Sequence, residues 1–162
     1  TYVDECDLTA NSSGITKPRA VDFNSAGTKM RVLASNTDDV HEYNLTTPYD
    51  VSTCAFVGAS EDFSVNAKDG NPRGLAFKSD GTKMFFVGAT NDKIHEYTLS
   101  TAYDVSTATY VDAFSISNEE TGPGELEFSS DGKSMFIIGQ AGDEINEYHL
   151  TTAWDISTAY HR

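Results

Sequence analysis

Pro72-Arg73-Gly74-Leu75-Ala76-Phe77-Lys78-Ser79-Asp80-Gly81-Thr82-Lys83-Met84-Phe85-Phe86-Val87 decides the fold. Residues 73–77 read as a short strand. Asp80-Gly81 then supplies the positive φ of a tight hairpin turn, and residues 84–88 return as a second strand. Met84, Phe85, Phe86 and Val87 are apolar in succession, so both faces of that strand must be covered; a sheet with one wet face would alternate. Thr90-Asn91-Asp92-Lys93 turns the chain into a third strand at residues 94–99, and the connection at 100–107 leads to a fourth at 109–116. The unit is four antiparallel strands, A to D, and nothing in it carries helical periodicity.

The unit occurs three times. Residues 23–53, 77–107 and 128–158 align without a gap, and 12 positions are identical in all three copies: Phe23, Ser25, Gly27, Met30, Asp38, Glu42, Tyr43, Leu45, Thr47, Asp50, Ser52, Thr53 and their counterparts. Pro18, Pro72 and Pro123 mark spacings of 54 and 51 residues. The whole difference falls between Thr53 and Pro72, which predicts a D–A connection of variable length. Four-stranded units of this size, covered on both faces by their neighbours, are the blades of a β-propeller. The expected organisation is a strand-D remnant at 1–17, then blades at 18–65, 72–116 and 123–162, the last with an incomplete outer strand.

These residues resemble a family. The segment from Pro72 to Val87 looks like the strand A, turn and strand B consensus of WD40, YVTN and NHL propeller repeats. The segment from Ile94 to Ala108 is similar to repeat-rich tail and virion proteins of marine bacteriophages, which implies a virion or extracellular protein. The Gly-His and Trp-Asp pairs of true WD40 blades are missing here, and any scaffold role that depends on them is not implied.

With 11 Lys+Arg against 25 Asp+Glu in 162 residues the formal charge is −14, which disfavours a nucleic-acid surface. No apolar run approaches the roughly 18 residues of a membrane span. Thr1 opens the sequence; a processed protein, an excised fragment and a piece of a longer chain would all look like this. Cys6 and Cys54 have no metal-type spacing, and their places in strands D of different blades predict two free thiols.

Propellers have roughly four to eight blades, so three leave open edges. Thr1-Tyr2-Val3-Asp4 repeats Thr109-Tyr110-Val111-Asp112, whereas the third copy runs out at Ala159-Tyr160-His161-Arg162. Two readings follow: a head-to-tail homodimer with six blades, in which each strand-D remnant (residues 2–8) completes the partner's third blade, or further blades on a longer chain. The first is favoured because the cut falls at matching points of the repeat.

Binding is expected on the rim of B–C and D–A loops, which vary while the A–B and C–D loops repeat. The candidates are Asn36, Asp39, Asp69, Asn91, Lys93, Glu119, Glu120, Gln140 and Glu144, with a glycan or protein as ligand. The acidic loops also admit Ca2+, although none has an EF-hand run and turn chemistry is the first reading of their carboxylates. Asp38, Asp92 and Asp143 read as Asx turns into strand C. Tyr49, Tyr103 and Trp154, each followed by Asp, are candidate sugar-stacking platforms in a lectin-like surface, although a loop folded back on its own blade explains the repetition better. Glu42, Glu96 and Glu147 are expected to fix blades through a Lys or Arg partner, and Tyr43, Tyr97 and Tyr148 to pack between blades.

No GxSxG, HExxH or phosphate-cradling loop occurs, and no nucleophile stands beside a base. The expectation is therefore a non-enzymatic binding or adhesion module without a cofactor. The alternative is a lactonase- or glycosidase-type propeller with a channel metal, using strand A residues such as Arg19, Arg73, Glu125 and Glu127.

Overall fold

The computed structural model describes residues 4–11 and 14–161. After one helical turn, α1 (Leu8–Asn11), the first sheet holds β1 (Pro18–Phe23), β2 (Lys29–Ala34), β3 (Asp39–Leu45), β4 (Cys54–Phe56) and β5 (Phe63–Ser64). The second holds β6 (Pro72–Phe77), β7 (Lys83–Gly88), β8 (Lys93–Leu99) and β9 (Ala108–Ser115). The third holds β10 (Pro123–Phe128), β11 (Ser134–Gly139), β12 (Ile145–Leu150) and β13 (Ala159–His161). Each sheet is an antiparallel meander, and β1, β6 and β10 stand side by side as the inner strands. These are three consecutive propeller blades.

The thrice-repeated residues are mostly turn chemistry. Gly27, Gly81 and Gly132 sit at φ of 68°, 73° and 69° in the A–B turns, with the rings of Tyr49, Tyr103 and Trp154 lying where a Cβ would be. Only glycine meets both demands. The Tyr49 and Tyr103 hydroxyls donate to the carbonyls of Ser25 (2.9 Å) and Ser79 (2.5 Å), which folds each C–D loop onto its own blade. Asp38, Asp92 and Asp143 take the left-handed position of the B–C turn at φ of 57°, 51° and 52°. Asp is among the few residues that tolerate it. Asp50, Asp104 and Asp155 each cap a 3-10 turn by accepting the amide of the Ser two residues on, at 3.1 Å.

The core lies between blades. Leu33, Val40 and Val65 of blade 1 bury against Leu75, Met84, Phe86 and Tyr97 of blade 2. The opposite face of blade 2 sends Phe85, Val87, Ile94 and Ile116 against Leu126, Met135, Ile137 and Tyr148 of blade 3. Successive apolar residues on strand B thus serve two different interfaces, and Met84, Phe85, Phe86 and Val87 are all 0% exposed. Each large side chain so buried contributes about 1.5–3 kcal/mol, which makes these faces the main source of cohesion. Tyr97 and Tyr148 receive Phe63 and Phe114 of the preceding outer strand edge-on, with centroids 5.2 and 5.5 Å apart.

Polar latches reinforce the seams. Glu42 pairs with Lys29. Glu96 pairs with Lys83 at 2.5 Å and also accepts the Ile156 amide of blade 3 at 3.1 Å. Arg31 is fully buried between the Phe77 and Tyr103 rings, 4.6 Å from each centroid, and its Nη2 donates to Asp22 at 2.8 Å. Burial nevertheless pushes the Asp22 carboxyl up against the pull of Arg31, with Glu127 adding to the rise. The same positions in blade 2 hold Phe85 and Ala76.

Three expectations are corrected. The extra residues of blade 1 lie inside its outer strand, as an excursion at residues 57–62 between β4 and β5, while both D–A connections keep one length. An outer strand has a single neighbour, so an insertion there breaks the fewest hydrogen bonds. Residues 4–7 belong to none of the three sheets and run into α1, whereas a strand was expected over residues 2–8, of which 2 and 3 lie outside the described residues. Cys6 and Cys54 form a disulfide with Cα atoms 6.0 Å apart, so the thiols are not free. Strand D of one blade lies against the flank of the next, which brings two outer-strand positions together.

Two outcomes follow. Thiol titration of unfolded, unreduced protein will find no free thiol, and Cys6→Ser with Cys54→Ser will lower stability by about 4 kcal/mol, the loop-closure value for a 48-residue separation. Chemical denaturation will find Asp22→Ala destabilised by about 3–5 kcal/mol, because Arg31 is left buried and unpaired, whereas Asp22→Ala with Arg31→Phe recovers the loss by installing the blade 2 pair.

Candidate functional site at the propeller axis

The rim loops are tied down more than their composition suggests. Asp69 and Glu120, three residues before Pro72 and Pro123, are buried, and their carboxylates are held by main-chain amides. Asp69 accepts from Asn71 (2.7 Å), Thr90 and Asn91 (3.0 Å), and Glu120 from Gly122 (2.7 Å) and Ala141 (3.1 Å). Each carboxylate fills the space beside a strand-B glycine, Gly88 or Gly139, where a Cβ would collide with it. Blade 1 has Ala34 and Ile15 at these positions, and that paired change is a signal readable in the sequence.

Asn36 takes over the strapping in blade 1: its Oδ1 accepts from the Thr16 and Lys17 amides, and its Nδ2 donates to the Gly14 carbonyl at 2.6 Å. Asn91 Nδ2 donates to the Lys68 carbonyl at 2.8 Å. Asp39 is half-buried at the start of β3, and Glu119 accepts from the Tyr148 hydroxyl at 3.3 Å. Lys93, Gln140 and Glu144 are exposed. Each candidate stacking ring, Tyr49, Tyr103 and Trp154, lies over its own glycine turn, with Tyr49 still 59% exposed and Tyr103 and Trp154 half-buried.

The inner strands bring other residues together. Glu125 on β10 reaches across to β6: its Oε1 accepts the amides of Leu75 (3.1 Å) and Leu126 (3.0 Å) and lies where a Gly74 side chain would be. Glycine at 74 permits this approach. Arg73, the next residue on β6, is half-buried, and its Nε is shielded from solvent without a hydrogen-bond partner. Arg19 is exposed and donates from Nε to the Ser35 hydroxyl at 2.6 Å. Burial raises the Glu125 carboxyl, its two amide bonds pull it down, and Glu127 pushes it up further. Arginines interleaved with carboxylates do not suit a metal, and among the described residues no group of three His, Cys, Asp or Glu is arranged to hold one. The channel-metal alternative does not fit these residues.

One array escaped the sequence reading. His41 Nε2 lies 3.0 Å from the Thr37 hydroxyl, and its Nδ1 lies 2.9 Å from Asp62, a residue of the outer-strand excursion. A hydroxyl, an imidazole and a carboxylate thus stand in series, but His41 is 1% exposed and no substrate can reach it. The array ties the B–C loop to the excursion. Its counterpart His95 stacks on Phe86 at 4.7 Å without a polar partner, and burial lowers its pKa to about 4. Asn146 stands at the third position.

No family model matches the chain, and no curated protein matches it in sequence. Solved structures do match in shape. A candidate 6-phosphogluconolactonase of Bacteroides uniformis superposes with a TM-score of 0.64 at 14% identity, over 89% of this chain and 39% of its own. The periplasmic gluconolactonase of Pseudomonas aeruginosa gives 0.63 at 14% identity, over 89% and 39%. The Swd1 β-propeller domain of Myceliophteria thermophila gives 0.54 at 12% identity, over 81% and 37%. The chain therefore spans about two-fifths of these neighbours' lengths. They establish the propeller fold and carry no link to phage proteins. The expectation of a non-enzymatic module is corrected by the lactonases among them: this fold is one that enzymes use, so the propeller architecture does not argue against an enzyme.

His95 yields a pH test. Its folded pKa is depressed, so below the ordinary value of 6.5 the unfolded chain takes up a proton that the fold refuses, and stability falls as pH drops from 6.5 toward 4. His95→Asn, the blade 3 solution, will flatten that part of the profile in denaturation measurements across the range, and imidazole NMR of the native protein will place the His95 titration near 4.

Proposed function

We propose that the chain is part of a hydrolase of the lactonase type that opens sugar lactones at the inner strands. The observation that carries this reading is the Arg73–Gly74–Glu125 arrangement on adjacent inner strands of a scaffold whose shape it shares with a gluconolactonase. Lactone opening needs a base to take a proton from water and a positive group beside the carbonyl oxygen as it gains charge. Glu125 is anchored through Oε1, and its partly desolvated carboxylate is a stronger base than a free one; Arg73, beside Gly74 on β6, is half-buried and brings a guanidinium charge to the same pair of strands. Glu125 takes the proton of the attacking water and returns it to the ring oxygen that leaves, while Arg73 stabilises the oxyanion. An oxidising, extracytoplasmic compartment is supported by the disulfide and by the periplasmic neighbour.

The formal charge of −14 disfavours anionic substrates, so an uncharged aldonolactone is preferred over its 6-phosphate at low ionic strength, with the gap narrowing as salt is added. Glucono-lactone hydrolysis followed by proton release, with the spontaneous rate subtracted, checks the assignment. Glu125→Gln will lower kcat by about 100-fold or more with the fold intact by circular dichroism. No acceleration over the spontaneous rate by the wild-type protein overturns the reading.

A further inference from the structure

The third strand of each blade ends on one theme: Asn44-Leu45-Thr46, Thr98-Leu99-Ser100 and His149-Leu150-Thr151. The leucine is buried in every copy and a hydroxyl residue follows it. Blade 1 alone places Asn two residues before that hydroxyl, which completes the acceptor sequence for an N-linked glycan. Asn11-Ser12-Ser13 has the same pattern, but Ser12 and Ser13 lie outside the described residues.

Such a pattern matters only where the fold presents it. Asn44 pairs with Lys29 on β2 and with Ala55 on β4, so its main chain is held in the sheet. Side chains alternate along a strand, and Asn44 shares a face with Val40, which is buried against blade 2. Leu45 turns the other way, into the blade 1 core. Asn44 and Thr46 are both exposed, and among the described residues the Asn44 side-chain amide makes no hydrogen bond. That exposure is independent of any further blade: blade 2 already stands on the Asn44 side, and Thr98, at the same position of a blade covered on both faces, is exposed as well.

The acceptor also lies beside the disulfide. Leu45 pairs with Cys54, the residue bonded to Cys6, so one step along the β3–β4 ladder separates Asn44 from a bond that belongs to an oxidising compartment. Lys29, across from Asn44, opens β2 just after the A–B turn, whereas Arg73 stands at the start of β6, at the other end of the blade. A glycan on Asn44 therefore leaves the inner-strand site open.

We propose that Asn44 is a site of N-linked glycosylation. The donor class is a polyprenyl-diphosphate-linked oligosaccharide: Asn44 Nδ2 attacks the anomeric carbon, the new N–C bond forms, the bond from that carbon to the diphosphate oxygen breaks, polyprenyl diphosphate leaves and the amide gives up one proton. Thr46 supplies the hydroxyl of the acceptor pattern. Such a modification needs the extracytoplasmic compartment of the functional reading above, but not lactone hydrolysis.

Secretion of the full chain behind an export leader, from a eukaryotic cell that makes N-linked glycans, tests it. Thiol titration of the unfolded, unreduced product reports whether the disulfide has formed. Amidase release of the glycan in heavy-oxygen water converts a modified Asn to labelled Asp, and after reduction residues 32–68 form one tryptic peptide that excludes Asn11. The expected product is disulfide-bonded and labelled at Asn44. Thr46→Ala keeps Asn44 and alters an exposed side chain, so it abolishes the label with circular dichroism unchanged. Thr98→Asn completes the same pattern with Leu99 and Ser100 and adds a second glycan in blade 2. A disulfide-bonded product bare at Asn44, a label that survives Thr46→Ala, or no added glycan in Thr98→Asn overturns the assignment. Lactone hydrolysis is measured before and after glycan release and is expected to be the same; its absence from both samples bears on the hydrolase reading alone.

Discussion

Everything in this structure depends on the packing of one blade's face against the next. A four-stranded sheet whose central strand is apolar on both faces cannot persist alone in water, because half of its side chains would be exposed whichever way it turned. Hydrogen bonds within the sheet do not solve that problem, since they hold strands together without covering either face. The blades are consequently coupled like links of a repeat array, with cohesion residing at the seams. The polar contacts of the seams are secondary and interchangeable: Arg31 between two aromatic rings in one, Phe85 against Phe128 in the other.

The seams also explain which parts of the molecule were legible in the sequence. Residues that act within one copy, such as Gly81 in its turn, Asp92 at its left-handed position and Asp104 at its cap, declare themselves because the same local demand recurs three times. The inter-blade tyrosines and the Glu96–Lys83 pair were readable on the same ground. What was hidden acts between copies. The Cys6–Cys54 bond joins two outer-strand positions that lie in different blades by any alignment of the repeat, and only the packing of one outer strand on the flank of the next blade makes them neighbours. The outer-strand excursion at 57–62 was displaced to the wrong connection because an alignment anchored on Thr53 and Pro72 does not say where between them the extra residues fall.

For the candidate site the same division holds. Arg73 and Glu125 could be named from their places on inner strands, but their relation could not, since it depends on β10 reaching across to the amide of Leu75. The rim looked like a binding surface because its residues vary and carry charge. Part of that variation is mechanical, since Asp69 and Glu120 strap their loops in one way and Asn36 in another. Variability among repeats therefore reports mechanical substitution as readily as ligand recognition. A propeller concentrates its chemistry where inner strands converge, and function on such a fold belongs to those particular side chains rather than to the architecture.

The carboxylates that sit over strand-B glycines redraw the boundaries of the repeat as an inheritable piece. Asp69 precedes the first strand of blade 2 yet fills a space beside Gly88 within that blade, and Glu120 does the same for Gly139. A duplication or laboratory transplant cut at Pro72 or Pro123 would separate the carboxylate from its glycine, leaving an empty niche in one recipient and a collision in another wherever Ala34 is the resident. A cut near Val65 or Ile116, at the end of the preceding outer strand, carries lock and key together. The portable segment of this protein is thus offset from the blade seen in space, and shuffling among such repeats should leave its scars at the ends of outer strands.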